Sequence, residues 1–406
     1  MDQLTARKQT VSASSRFADG QRGPLAIAFG ASVAVVSGAT MLYPVLPVLA
    51  ADLAVDESRI GLAMVAFTAP AIVLAPLFGI LADRRGRKWM LIFGLALFAI
   101  AGAGAALAPS YDWVLVCRAV QGVGMSAITP LTIVLISDLL PEEQEIHGQG
   151  MKVAIDRVAM IVLPLAGGLL AALSWRAAFV PYLLILPLAL AAYFWMPETS
   201  NPHVETLREY LARTFRAVRE PRLTLAFATG FMRFFLDYGL FTYLPLLVVL
   251  RYGASAATSG WLIAISAVGS ILTAMTVGHI YQRQPAERLL AIAFGAGALA
   301  LAVIALEQPL WIVAFASFIF GLGNGLISPL QKSLLIRRTH ASLRGGVVSV
   351  DRVIQQVAKS LAPSLMGLLL LVAPLEAVFW SLCAVSAIGT LALIWASRNS
   401  DGWRTF

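Results

Sequence analysis

The sequence has little charge for its length. Asp, Glu, Lys and Arg make up 13% of its 406 residues, whereas hydrophobic residues make up 59%, and the mean hydropathy is +0.80. A soluble protein of this size needs more polar surface, so the composition predicts an integral membrane protein. Two cysteines, Cys117 and Cys383, are too few for a disulfide framework. Both fall in apolar runs, where we expect them to pack as small apolar side chains.

The sequence also lacks the patterns that enzymes use. It contains no nucleophile–base set, metal-ligand cluster or phosphate-binding loop, so we expect no enzymatic activity, no cofactor and no bound metal. A cleavable signal peptide is not expected either, because the first 23 residues are polar and the first apolar run is long enough to span a membrane.

Twelve apolar runs are long enough to cross a membrane as helices. A hydrocarbon core of ~30 Å needs about 20 residues of helix, and the runs lack the alternation of barrel strands. The predicted spans are 25–50, 59–81, 89–108, 112–138, 150–172, 177–195, 223–250, 258–280, 289–306, 309–335, 345–372 and 377–396.

The basic residues predict the orientation. Only three of the 30 Lys and Arg residues, Arg59, Arg176 and Arg251, fall in loops on the side opposite the N-terminus. The positive-inside rule therefore places both termini in the cytoplasm. The net charge of +8 reflects this topology, so a nucleic-acid partner is not expected.

The two halves of the chain repeat one plan. A shift of 199 residues lays Gly61 on Gly260, and a shift of 195 lays Asp156-Arg157 on Asp351-Arg352. Two copies of six helices keep the same orientation, so the repeats are parallel. We predict an all-α membrane protein with a tail at 1–24, six-helix bundles at 25–196 and 223–396, a linker at 197–222 and a tail at 397–406. The linker pattern indicates a basic amphipathic helix at the membrane surface.

The loop after the second span reads GILADRRGRK at 79–88. It resembles the signature G-x-L-A-D-R-x-G-R-K of the major facilitator superfamily at every fixed position, including Gly79, Asp83, Arg84, Gly86 and Arg87. Twelve helices in a 6+6 repeat and the PET at 197–199 fit the same family, so the resemblance covers essentially the whole chain.

In that family this loop acts as a cytoplasmic latch. The resemblance implies that Asp83, Arg87 and Asp138 hold the inner side closed, with Asp83 near the N-terminus of the eleventh helix. Alternatively, the basic cluster only enforces topology. The second half carries Gln282 in place of Asp83, so the latch is expected on one side only.

Two further motifs resemble the drug:proton antiporters of this family. The fourth span carries R-x-x-Q-G-x-G, whose Arg lies near the proton site in such antiporters; a helix-end Arg that snorkels outward is the alternative reading of Arg118. The fifth span reads LPLAGG, which resembles the end of the antiporter motif, although Leu163 replaces a Gly. The matching residues are Arg118, Gln121, Gly122, Gly124, Pro164, Gly167 and Gly168.

Eight charged residues lie within spans and are expected to face a partner or a cavity, because each costs about 2.5–3.5 kcal/mol at a helix centre. Asp237, near the middle of the seventh span, is the predicted proton-coupling residue, with Arg233 one turn away and Arg118 assisting. A permanent Arg233–Asp237 pair that only joins helices is the alternative. The others are Asp156, Arg157, Asp351, Arg352 and Lys359.

The eleventh span has a polar stripe that indicates a cavity wall, namely Arg352, Gln356, Lys359 and Pro363. The predicted substrate cavity comprises Arg118, Gln121, Asp237, Tyr238, Gln356 and Lys359. Aromatic residues of the seventh span would either stack on cargo or pack: Phe231, Phe234, Phe235, Tyr238, Phe241 and Tyr243.

The two Asp-Arg pairs predict an inner gate. VAIDRVAM at 153–160 and VSVDRVIQ at 348–355 are related by the repeat. We expect Asp156 to meet Arg352 and Asp351 to meet Arg157, or each pair to bind the adjoining fourth or tenth helix. This gate would break when the cavity opens inward.

The resemblance implies a monomeric, proton-coupled efflux antiporter of drugs or small amphiphilic metabolites in the bacterial plasma membrane, with the proton gradient as its energy source. The surplus of embedded cations leaves organic anions, such as siderophores or carboxylates, as an alternative cargo. A receptor or scaffold that has lost transport is a distant alternative, because it would not need several embedded ionisable groups. Coupling to sodium also remains open.

Overall fold

The computed structural model describes residues 19–199, 223–281, 284–337, 339 and 344–398, and every regular element in these ranges is helical. Twelve long helices match the predicted spans: α1 (Gly20–Asp52), α2 (Glu57–Arg85), α3 (Arg87–Leu107), α4 (Tyr111–Leu139), α5 (Glu142–Leu173), α6 (Ala177–Trp195), α7 (Thr224–Leu250), α8 (Ala256–Gly278), α9 (Ala286–Ala305), α10 (Leu310–Ile336), α11 (Arg344–Leu369) and α12 (Glu376–Arg398). The predicted amphipathic linker helix and Gln282 lie outside the described residues.

One helix, α11, is more polar than the others. Within the described ranges, the other eleven are long and apolar enough to cross a membrane unaided. Residues Val347, Val350, Ala358 and Ala362 form the buried face of α11, and Asp351 is buried beside them, whereas Arg352 and Lys359 are half-buried. A helix with this polar stripe is stable inside a membrane only where neighbouring helices and a watery cavity cover it.

The first helix bends at its outer third. Regular α-helix ends at Thr40, a 3-10 turn covers Tyr43–Val45 and the helix resumes at Leu46. Pro44 causes this break, since it lacks the N–H that a continuous helix needs. The bend places Tyr43 against α7, with its ring centroid 6.0 Å from that of Tyr238.

The helices form two bundles, α1–α6 and α7–α12, which meet along two equivalent seams, α5 with α8 and α2 with α11. The repeat relates α2 to α8 and α5 to α11, so the seams are related by the same pseudo-two-fold axis. Around the perimeter, large apolar side chains such as Leu173, Phe194 and Trp395 are more than half exposed, as a lipid-facing surface requires.

The bundles touch closely at one side only, which we call the outer side. A Cβ atom built on Gly168 would lie 2.7 Å from the Ala256 carbonyl oxygen, and one on Gly260 would lie 2.5 Å from the Pro164 carbonyl oxygen. Only glycine permits this backbone approach. The opposite, inner side carries the α2–α3 and α4–α5 loops, which the charge pattern predicts to be cytoplasmic. There the bundles separate around a cavity, so the structure is inward-open.

Candidate transport site

A cavity of about 430 Å³ lies between the bundles, within the size range of small-molecule sites. It extends from the membrane centre to the inner ends of α2 and α3. One wall comes from α1, α2, α4 and α5, and the other comes from α11. Its charged and amide-bearing lining residues are Asp83, Arg87, Lys152, Asp156, Arg352, Gln355, Gln356 and Lys359.

Lys359 lies on the α11 wall of the cavity. Its Nζ atom donates a hydrogen bond to Gln356 Oε1 at 2.7 Å. The same atom is 4.6 Å from the ring centroid of Phe234 and 5.7 Å from that of Tyr238. The stripe predicted on α11 therefore does line the cavity at Arg352, Gln356 and Lys359.

Asp237 is buried behind this wall and belongs to a hydrogen-bonded chain. Asn324 of α10 donates from Nδ2 to Asp237 Oδ1 at 2.5 Å and accepts at Oδ1 from Arg233 Nε at 2.6 Å. The amide thus takes the place of the direct Arg233–Asp237 ion pair that their spacing predicted, because both side chains point towards α10. The Arg233 guanidinium also lies 4.7 Å from the Phe234 ring centroid, so Phe234 contacts Arg233 and Lys359.

Sequence reasoning missed Asn324. Its repeat-related position is Met125, so the duplication gave no reason to inspect it. The available signal was an isolated carboxamide in the apolar run FIFGLGNGLI of α10, since a buried polar group in a membrane helix needs a partner.

Arg118 and Gln121 lie inside the N-terminal bundle, away from the cavity that they were expected to line. Both are fully buried. Arg118 donates from Nη2 to the Gly38 carbonyl at 2.6 Å and from Nη1 to Gln121 Oε1 at 2.5 Å, and it stacks 4.0 Å from the Phe67 ring centroid. The snorkelling alternative is therefore wrong. Arg118 instead connects α1, α2 and α4.

The predicted latch residues contact one another within the N-terminal bundle. Arg87 Nη2 lies 2.7 Å from Asp83 Oδ1, and Arg87 also pairs with Asp138. Gly86 has φ +106°, which favours glycine, and a Cβ there would strike the Glu198 carboxylate of the PET segment. These ion pairs exist while the inner side is open, so they do not close it by themselves. Closure through the N-terminus of α11 stays a prediction.

The two Asp-Arg pairs face the protein interior in different ways. Asp156 accepts from Lys152 Nζ at 2.8 Å and Ser32 Oγ at 2.6 Å. Arg157 donates to Ser270 Oγ of α8 at 3.1 Å, across the seam between the bundles.

In the second pair, Asp351 accepts from Gln331 of α10 at 2.8 Å and from Gln355 at 2.6 Å, whereas Arg352 lines the cavity. The exchanged gate was expected to break in an inward-open state, which is the state described here. It remains a prediction.

The antiporter-motif residues and the aromatic residues of α7 mostly pack. Gly167 lies against the Met41 carbonyl at the α1 bend. The Tyr243 hydroxyl donates to the Pro363 carbonyl at 3.0 Å, and Phe231 stacks on Phe235 with centroids 5.9 Å apart. Phe241 packs beside Tyr43.

Comparison with known proteins decides the family. The family model described as Major Facilitator Superfamily matches residues 28–363 and 250–404. The chain belongs to the major facilitator superfamily. It is therefore a multi-pass transporter of the cell membrane that acts on small molecules, and it is not an enzyme.

Several relatives of this major facilitator protein are exporters or resistance proteins. The bacillibactin exporter of Bacillus subtilis is 25% identical over 349 residues, covering 82% of this chain and 86% of that protein. Multidrug resistance protein 3 of Bacillus subtilis is 23% identical over 355 residues, covering 72% and 68%. The quinolone resistance protein NorA of Staphylococcus aureus is 31% identical over 142 residues, covering 35% and 37%.

Solved structures share the fold. A bacterial homologue of the human lysosomal transporter Spinster, in an inward-facing and unoccupied conformation, aligns with a TM-score of 0.74 at 17% identity, covering 94% of this chain and 96% of that one. The human organic anion transporter MFSD10 aligns with a TM-score of 0.65 at 19% identity, covering 92% and 99%.

Proposed function

We propose that the protein is a monomeric antiporter that exports small amphiphilic compounds in exchange for protons, without a cofactor. The observation that carries this proposal is the buried chain Arg233–Asn324–Asp237 beside the closed end of the cavity. A carboxylate held in this way in a membrane interior is a functional group by default. The exporter and drug-resistance names of the relatives support the direction and the cargo class.

Asp237 is the proposed proton site. When ionised, it accepts from Asn324, and the positive charge of Arg233 balances it through the same amide. When protonated, it loses its charge and leaves Arg233 unbalanced in the C-terminal bundle. Because Arg233 and Lys359 share the Phe234 ring, this change in charge acts on the wall of the cavity.

Alternating access follows from the two seams. Closure of the outer side uses the glycine contacts of α5 with α8. In the outward-open state those contacts separate and the inner ends of the bundles approach each other. There Asp83 would meet the N-terminus of α11, and Asp156 would meet Arg352. Cargo and proton then exchange because each favours a different state of the bundles.

A growth screen of an overexpressing strain against toxic compounds identifies a cargo, and exchange is then measured in proteoliposomes. We expect export to follow an imposed pH gradient and to be unchanged when potassium replaces sodium. Transport that continues at full rate after the pH gradient is collapsed would contradict proton coupling. A sodium requirement would contradict it as well.

A further inference from the structure

The lining of the cavity has more positive than negative charge. Four cationic and two acidic side chains line it, an excess of two positive charges. On the N-terminal wall these charges are compensated locally. Lys152 pairs with Asp156, and Arg87 pairs with Asp83 as well as with Asp138. These pairs do not include Lys359, which lies on the α11 wall.

Lys359 has no carboxylate within ion-pair distance among the residues that the structure describes. Its ammonium is held by one amide oxygen and by the faces of two aromatic rings. Cation–π contacts hold an ammonium in place without neutralising it, and they are worth more where water is scarce. The nearby acid Asp237 is bound to Asn324 and balanced by Arg233. Lys359 is thus a positioned cation without an ion-pair partner among the described residues, at the edge of a small-molecule cavity.

Gln356 adds a directional donor at the same place. Its Oε1 atom accepts from Lys359. The Nε2 group of the same amide is then left as a hydrogen-bond donor. One helical turn away, Arg352 also lines the cavity. An oxyanion at Lys359 would therefore meet an ammonium and an amide together.

Part of the N-terminal wall is apolar. Val35 and Val36 of α1 and Ala71 and Ala75 of α2 line the cavity, and α2 also packs against α11. A bound molecule would therefore have its charged group on one side and its apolar body on the other. We propose that Lys359 is the anchor for a carboxylate or sulfonate group of an otherwise apolar cargo. This inference rests on the proposed function, because it takes the cavity to be the cargo site.

The test uses three probes with one ring system and different charge: 2-naphthoate, neutral 2-naphthamide and 2-naphthylmethylammonium. Binding to the purified full chain is measured by isothermal titration calorimetry at one pH and salt concentration. We expect the naphthoate to bind at least about 10-fold more tightly than the amide, because a hydrogen bond to a charged group contributes more than a neutral one. The ammonium probe should bind most weakly.

Substitutions then locate the site. Lys359→Gln should weaken naphthoate binding about 10-fold and 2-naphthamide binding by a smaller factor, and Lys359→Arg should retain the preference for the anion. Lys152→Gln, which removes a cation already paired with Asp156 on the opposite wall, should change the preference less. Retained binding of 2-naphthamide also shows that the glutamine variant is folded.

Equal binding of the three probes, or tighter binding of the ammonium probe, would overturn the anion anchor. So would a naphthoate affinity that is insensitive to Lys359→Gln. These measurements need no gradient and are independent of proton coupling. If naphthoate binds tightly and transport does not respond to the pH gradient, the anchor stands and the antiport is refuted. If naphthoate is not preferred and transport follows the pH gradient, only the anchor is refuted.

Discussion

Asn324 uses both ends of its amide to join Arg233 and Asp237, donating to the acid and accepting from the base. The amide can satisfy both neighbours in one orientation only, since an arginine offers donors and an ionised carboxylate offers acceptors. Because Arg233 can only donate, it orients the amide with Oδ1 towards itself and Nδ2 towards Asp237. A neutral acceptor at position 237 would keep the hydrogen bond and lose only the negative charge.

We predict that Asp237→Asn abolishes the response of transport to a pH gradient. An amide at this position still accepts from Asn324, so the variant should fold, but it carries no titratable proton. Exchange of labelled against unlabelled cargo without a gradient should persist, and proteoliposome assays measure both activities. The control is Asp112→Asn, which changes an exposed outer aspartate paired with Arg59. Gradient-driven export by the Asp237 variant at the wild-type rate would refute the assignment.

Replacing Asn324 by methionine, the residue at the repeat-related position 125, should destabilise the protein. The change leaves Arg233 and Asp237 buried without their common partner. We expect a loss of about 2 kcal/mol in the free energy of unfolding, since hydrogen bonds to charged groups exceed the average intramembrane bond. Unfolding in detergent measures it. In the double variant with Asp237→Asn, the loss of unfolding free energy should be smaller than the sum of the losses in the two single variants. Strict additivity would contradict the hydrogen-bonded chain of Arg233, Asn324 and Asp237.

Gly260→Ala should shift the protein towards the outward-open state. The new Cβ atom would lie 2.5 Å from the Pro164 carbonyl oxygen, and overpacking of about 1–3 kcal/mol corresponds to a change of roughly 5- to 150-fold in population. Spin labels at Ser174 and Ser255, in a background with Cys117 and Cys383 replaced by alanine, would report the outer distance between α5 and α8. Gly278→Ala in the same helix is the control, because nothing lies within 4 Å of its Cβ position. An unchanged distance distribution in the Gly260 variant would count against this seam as the outer closure.

Arg118→Lys should also destabilise the N-terminal bundle. The guanidinium contacts α1 at Gly38 and α4 at Gln121 while it stacks on Phe67 of α2, and a single ammonium cannot reproduce that fork. We expect a loss of about 2 kcal/mol in unfolding free energy. Arg59→Lys, at an exposed outer ion pair, should change stability by less than about 0.5 kcal/mol. Equal effects of the two changes would contradict a structural role for Arg118.

The fold followed from the sequence because membrane helices are specified locally. About 20 apolar residues suffice to define a span, and the charge bias and the repeat order the spans without any knowledge of contacts. Lys359 and Gln356 lie on the wall of the cavity, since a polar stripe on a membrane helix has few alternatives to facing a cavity.

The partners of individual charges did not follow from the sequence. Asn324 stands 87 residues from Asp237 in the chain, and no local pattern links the two positions. Arg118 was expected in the cavity because of its charge and because of its motif. It is instead satisfied by carbonyl oxygens, a carboxamide and a ring. None of these groups is charged, so the sequence contains no charged partner that would have revealed the position of Arg118.

The polarity of α11 has a consequence for how the protein is made. A segment with Asp351, Arg352 and Lys359 in one stretch gains too little from lipid to leave the translocation channel alone, because each charge opposes insertion by about 2.5–3.5 kcal/mol at a helix centre. It must therefore enter the bilayer in contact with helices that are already inserted, and α7 and α10 are synthesised before it. The order of synthesis thus provides a polar surface before α11 is inserted. In a truncated chain that ends just after α11 and lacks α7, we expect α11 to remain at the membrane surface.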